Sequence, residues 1–320
     1  MVVVVFFNEM SKEVEYKSTG FEKLDSIDLS ASLSAILPDK FSQIKVERIY
    51  YGNVNRNFKI VTDQNKYFCK IAPLWYEGSL FREAWALKKI KTLGCRVPEV
   101  LLYLDKKNGV IPGYEILLLE YVDGTLLADV TNKEKYYAQI IRTYNSIHSI
   151  SVEKYGWLNK NFIGENNTWV EFLLQIENEK SINSLGDIWM ASVNFVRDEI
   201  KKYPFGIYSG KLLYGDFNYY NFILNQDEEV VSFDFQNCFS GDPLYDVGMM
   251  VAKDIGFEQF LEKFETFNIV DDKDIRKRVF LYSLRYLLSM LSFYVSSQNE
   301  ERILFAQKRF FEIKNLYEKC

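Results

Sequence analysis

From Gln43 to Tyr51 and again from Phe58 to Thr62, apolar and polar residues alternate, the period-two pattern of strands with one buried face. A turn at Gly52-Asn53 separates the two, and the turn-like Asp63-Gln64-Asn65 precedes a third short strand, Tyr67 to Ala72. Together they predict a small antiparallel sheet. Glu77 to Leu93 switches to helical period, with Leu80, Ala84, Leu87 and Ile90 on one face, and stops at Gly94, as helices often do. Strands are expected again near Val100 to Leu104 and Tyr114 to Tyr121.

Beyond Asp123-Gly124 the periodicity turns helical. Lys133 to Ile150, Trp169 to Glu179, Asp187 to Tyr203 and a long tail from Gly256 to Lys319 carry most of the remainder. A strand pair, Asn221 to Leu224 and Glu229 to Phe233, interrupts them around an acidic turn. Sheet first and helices later is an α+β pattern in two lobes, 1–124 and 125–320, with the boundary at Glu120 to Gly124. The opening run Val2 to Phe7 is too short to cross a bilayer and lacks the basic flank of a secretory signal, so it reads as a strand. No other stretch approaches the ~20 apolar residues of a span, and the expectation is a cytoplasmic protein with no membrane partner.

Composition changes this picture little. Of 320 residues 48% are hydrophobic, enough for a sizeable core. Lysine and arginine total 39 against 44 acids, a net charge of −5 with both signs interleaved, which argues against a nucleic-acid partner. Cys69, Cys95, Cys238 and Cys320 show neither metal-ligand spacing nor a disulfide framework and read as reduced thiols. The aromatic content of 16% fits a coding bias as well as it fits a carbohydrate or amine site.

The candidate chemistry sits in two short stretches. Tyr214-Gly215-Asp216 is followed by Asn221, and Phe233-Asp234 comes next, eighteen residues after Asp216. A hairpin between them would bring Asn221 and Asp234 to one end, where a hard cation could touch both oxygens. Phosphoryl transfer asks for such a set, with one group to hold an acceptor hydroxyl and oxygen ligands to hold magnesium against phosphates. Behind it lies Gly241-Asp242-Pro243-Leu244-Tyr245-Asp246. Asp242-Pro243 reads as a helix start, and Asp246 either supports the Asp216 loop or is a first-turn acid favouring the helix dipole.

Gly-Asp, four residues, Asn, then apolar-Asp and Gly-Asp-Pro-x-x-Asp is similar to the aminoglycoside phosphotransferase and choline kinase family, which has a protein-kinase-like fold. Upstream elements follow in order over about residues 45 to 250: Gly52 to Phe58 resembles its nucleotide loop, with Gly52 and Asn55 near phosphate. Lys70 falls in the third strand, Glu83 in the following helix, and Glu120, Tyr121 and Val122 at the hinge. The resemblance implies ATP or GTP as donor, magnesium on Asn221 and Asp234, Asp216 as catalytic base, and Lys70 held by Glu83 for the donor phosphates. Lys70 could otherwise be an edge-strand or snorkelling lysine. It further implies a small polar acceptor with a hydroxyl, aminoglycoside-like, with choline, ethanolamine, homoserine or a sugar as alternatives. A non-catalytic nucleotide-binding protein on the same scaffold is the alternative of another class.

Two positions depart from the family: Tyr214, where a histidine is usual, and Gln236, where an acid is common. Altered packing under the loop is expected at Tyr214, without loss of activity. His148, the only histidine, reads as structural. Glu171, Glu177, Glu179, Glu258, Glu262, Glu265, Asp271 and Asp272, with Trp169 and Trp189, are candidates for the acceptor's surroundings. Solvated helix faces and helix packing are the plainer reading of most of them.

Overall fold

A computed structural model describes residues 20–21, 24–50, 54–76, 78–176, 179–205, 209–253 and 275–320. Gly52, Glu177, the opening run and the acids from Glu258 to Asp272 lie outside the described residues. The chain divides into two compact units, Met1–Gly124 and Thr125–Cys320.

In the first unit, a short helix α1 (Leu29–Ser34) precedes strands β1 (Ile44–Ile49), β2 (Arg56–Thr62) and β3 (Lys66–Ile71). Helix α2 (Ser79–Lys91) then leads to β4 (Val100–Leu104) and β5 (Ile116–Glu120). All pairing is antiparallel, and the sheet runs β1-β2-β3-β5-β4. Alternation places Phe58, Ile60, Tyr67, Cys69, Ile71, Ile116 and Leu118 in one apolar core with Phe21, Leu24 and Leu33. Leu117 and Leu119 take the opposite face of β5 and are also buried, so this strand is covered on both sides. The apolar stripe predicted for α2, Leu80, Ala84, Leu87 and Ile90, is buried as well. Its glycine stop is real: Gly94 has φ of +78°, a left-handed conformation that other residues seldom adopt.

The second unit begins as β6 (Gly124–Leu126) runs into it, followed by α3 (Tyr137–Ser149), β7 (Tyr155–Leu158) and β8 (Gly164–Asn166). Next come α4 (Trp169–Leu174), α5 (Glu179–Asn183), α6 (Asp187–Lys202), β9 (Lys211–Leu213), β10 (Phe222–Asn225), β11 (Val230–Ser232), β12 (Phe239–Gly241) and α7 (Leu244–Ala252). Two long helices, Ile275–Ser296 and Glu300–Glu318, close the described chain.

The expected single helix from Trp169 to Glu179 is two. Thr168 and Glu171 form a capping box at its start. Its end is fixed by Arg285, a buried guanidinium that donates to the carbonyls of Leu173 at 3.0 Å and of Gln175. The long tail is likewise broken near Gln298, which has positive φ, and Asn299, whose side chain accepts from Arg302 N at 3.1 Å.

Strands β7, β8, β9 and β12 escape the sequence pattern because three or four residues are too few to display a period. They pair in the order β8-β7-β12-β9, and β12 joins β7 and β9 from far along the chain. One further departure concerns Ile275–Ser296, a 22-residue helix apolar and long enough to span a bilayer by composition. With 72% of its apolar window buried inside the protein, it is a core helix of this unit. Leu281, Leu284, Leu288 and Leu291 are among its buried residues.

Candidate functional site

The hairpin of β10 and β11 pairs Phe222 with Ser232 and Leu224 with Val230. Continued one step, that register sets Asn221 opposite Phe233, whose N–H donates to the Asn221 carbonyl at 3.1 Å. Asn221 and Asp234 are thereby brought to the same end of the hairpin. Asp234 has φ of +63°, in the left-handed region that non-glycine residues seldom adopt. Conformations of this kind persist where surrounding structure enforces them, and they cluster at functional sites.

Asp216 stands on the loop between β9 and β10, and its environment is specific. Asn221 Nδ2 donates to Asp216 Oδ2 at 3.0 Å and to the Asp216 carbonyl at 2.8 Å. Asn218 Nδ2 donates to the same carbonyl at 2.8 Å, and the Lys253 ammonium binds Oδ1. Burial acts to raise the Asp216 carboxyl's pKa, but Lys253, Asn221 and Asn218 outweigh it and hold the group below its usual range. For Lys253 the balance has the opposite sign. Burial acts to lower it, and the Asp216 carboxylate with the Tyr286 phenol raises it above the ordinary lysine value.

Three residues keep this loop in shape. Gly215 has φ of +79°, and a Cβ there would run into the Asn237 carbonyl, so only glycine fits. Asp246, fully buried on α7, accepts from Tyr214 N at 2.8 Å and from Gly215 N at 3.0 Å. His148 Nε2 lies 2.8 Å from the same carboxylate, so the lone histidine is structural and Asp246 is a loop support rather than a dipole acid. Pro243, not Asp242, is the N-cap of α7; Asp242 lies one residue before it, accepting from Leu244 N at 3.0 Å and from the Tyr282 hydroxyl at 2.7 Å. The third is Tyr214. Fully buried between Phe217, Phe222 and Phe235, it points its hydroxyl at the carbonyls of Asn221, at 3.0 Å, and of Phe233.

The residues fit the magnesium the resemblance implies. Because Asn221 Nδ2 is committed to Asp216, its Oδ1 is the amide atom left to serve as a ligand, and Asp234 stands at the same end of the hairpin. Two hard oxygens suffice for an ion that keeps waters and takes phosphate oxygens. Among the described residues no group of three or more His, Cys, Asp or Glu could hold a metal by itself.

In the first unit, Lys70 on β3 is hydrogen-bonded to neighbours on both sides, β2 and β5, and is therefore no edge lysine. Its side chain is 5% exposed, that of Glu83 on α2 is 1%, and Lys70 Nζ lies 2.6 Å from Glu83 Oε2. A buried ammonium in an apolar sheet demands such a partner. Asn55 is half-buried just before β2. Glu120 uses its carboxylate locally, accepting from Arg96 Nη2 at 2.8 Å and Glu99 N at 3.1 Å, and its own N–H donates to the Glu99 carbonyl at 2.9 Å. Tyr121 lies under the Lys59 ammonium at 4.7 Å, and Val122 is half-buried.

The described acceptor candidates are engaged elsewhere. Glu171 belongs to the capping box, and Glu179 forms a two-pronged pair with Arg197 at 2.9 and 2.6 Å. Trp169 and Trp189 are packed, against Phe172 and Phe239 in one case and Phe310 and Phe311 in the other. Gln236 is buried. Sequence reasoning missed Lys253, Tyr286 and Asn218. The only sequence signal for Lys253 is its place as the first charge after the apolar Val247 to Ala252.

The sequence matches the profile of the phosphotransferase enzyme family over residues 45–273. No curated protein matches the chain. Among solved structures it is similar to a thermostable mutant of aminoglycoside phosphotransferase APH(4)-Ia in ternary complex with AMP-PNP and hygromycin B. That match has a TM-score of 0.72 at 18% identity and covers 90% of this chain and 98% of that one. A protein from Haemophilus somnus assigned as a fructosamine-3-kinase gives a TM-score of 0.65 at 19% identity, covering 89% and 96%. One from Ralstonia eutropha assigned as an aminoglycoside phosphotransferase gives 0.63 at 16%, covering 89% and 94%. At these identities the likeness is one of fold. The α+β, kinase-like architecture and the profile match together establish that the chain belongs to the phosphotransferase enzyme family.

Proposed function

We propose that this phosphotransferase moves the γ-phosphoryl group of a magnesium-bound nucleoside triphosphate, ATP or GTP, to a hydroxyl of a small polar molecule. Asp216 is the base, Asn221 and Asp234 hold magnesium, and Lys70, fixed by Glu83, holds the donor phosphates. The observation that carries this reading is the Asn221 amide. By donating to Asp216 it ties the proposed base to the proposed ligand and leaves the amide oxygen as the atom for a cation.

Magnesium, when bound, neutralises phosphate charge. The chain's own part is positional. Asp216 accepts the acceptor's hydroxyl hydrogen bond and takes the proton as transfer proceeds, and Asn218 and Asn221 fix the peptide that carries it. A carboxylate held below its usual pKa stays ionised, and proton uptake then comes late, as suits a loose transition state. The acceptor is aminoglycoside-like or another small polar hydroxyl compound, and the APH(4)-Ia complex with hygromycin B supports that class. The four free thiols support a reducing, cytoplasmic setting.

Release of nucleoside diphosphate, followed across aminoglycosides, choline, ethanolamine, homoserine and methylthioribose, tests the reading. Asp216→Ala is expected to abolish turnover of whichever acceptor is used while retaining a thermal shift with magnesium-nucleotide. Full turnover by that variant removes the assignment.

A further inference from the structure

Lys253 follows α7, and its ammonium reaches Oδ1 of Asp216 rather than the helix-end carbonyls that would attract a cation by themselves. The Tyr286 ring lies 5.6 Å from the same ammonium. The pair is only partly open to solvent, at 21% for Lys253 and 26% for Asp216. With Asn221 Nδ2 on the second oxygen, both carboxylate oxygens of Asp216 carry a donor.

We propose that Lys253 is a specificity-determining residue that reserves Asp216 for a bound acceptor and denies it to water. The inference rests on Asp216 being the base. Water is the competing nucleophile of every phosphoryl transfer, and it is abundant. To use Oδ1 it must replace an ammonium, exchanging an ion pair for a hydrogen bond from a neutral donor in a partly desolvated place. A bound acceptor brings contacts remote from its reacting hydroxyl, and that binding energy can be spent on moving the lysine.

In the productive step the acceptor oxygen bonds to the γ-phosphorus as the bond to the β,γ-bridging oxygen breaks. The hydroxyl proton passes to Asp216 and nucleoside diphosphate leaves. With water as nucleophile the same balance gives inorganic phosphate. Lys253 keeps its proton in both.

Phosphate release from magnesium-ATP and magnesium-GTP without acceptor tests this before any acceptor is known. Lys253→Met is expected to raise acceptor-free hydrolysis about tenfold or more, and Lys253→Arg to leave it near the parent level. Adding Asp216→Asn to Lys253→Met is expected to abolish the rise. Lys253→Ala serves as a second truncation if the Met variant does not fold. No rise in a variant that retains the nucleotide-dependent thermal shift overturns the role of Lys253 alone. A rise that survives Asp216→Asn overturns the inference together with the assignment of Asp216 as base.

Discussion

The hydroxyl of Tyr214 lies 3.0 Å from the main-chain carbonyl of Asn221, and it also meets the carbonyl of Phe233. One buried side chain therefore ties Asn221, one proposed magnesium ligand, to the Phe233 carbonyl, in the peptide that leads into the other, Asp234. In this chain the tyrosine occupies the place where the family usually has histidine, and the structure gives it a definite task there.

Tyr214→Phe keeps the packing and removes the tie. The Asn221 carbonyl still accepts from Phe233 N at 3.1 Å, so the loss falls on the Phe233 carbonyl. We expect a cost of about 1–3 kcal/mol in urea unfolding. The magnesium concentration that half-saturates the nucleotide thermal shift should rise about tenfold. An unchanged magnesium dependence would show that the tie does not position the ligands.

Glu83→Ala removes the carboxylate that Lys70 binds within a buried sheet. Removing one partner of such a pair costs about 3–5 kcal/mol, visible as a lowered unfolding midpoint. Glu83→Gln, which still offers an oxygen to the ammonium, should lose less. Equal stability of Glu83→Ala and the parent protein would count against the pair at 2.6 Å.

Asp216 has a depressed pKa, so the stability it contributes is present above the unfolded value of about 3.9 and fades as pH falls through the lower folded value. The stability difference between the parent and Asp216→Asn should therefore be constant near neutrality and shrink from about pH 5 downward. Urea titrations at several pH values measure it. A difference that grew on acidification would have the wrong sign.

Gly215→Ala places a Cβ against the Asn237 carbonyl at a positive φ. A strained backbone and a backbone clash together should cost more than about 1 kcal/mol. The loss should be read both as a lower melting temperature and as loss of phosphotransfer, because the shift falls on the peptide that leads into Asp216. A fully active, equally stable variant would contradict the loop geometry.

Much of this was legible in the chain because it is local. The strands of the first unit and the stripe Leu80, Ala84, Leu87, Ile90 follow from period, and Gly94 from the backbone freedom of glycine. The placement of Asn221 beside Phe233-Asp234 follows from two apolar runs joined by an acidic turn. What periodicity could not reveal is non-local. The short β12 exists by pairing with β7 and β9, distant from it in the chain, and α4 ends where Arg285, more than a hundred residues away, takes its carbonyls.

By itself the sequence determined the α+β order of elements and the spacing of Asp216, Asn221 and Asp234, because hydrophobic period and hairpin register depend on neighbours in the chain. Only tertiary structure decided how those residues are held. The bond from Lys253 to Asp216 and the support of Asp246 by His148 both arise where burial makes an unpaired charge costly. Which charges are buried together is settled by packing between distant segments, and no local pattern of letters carries it.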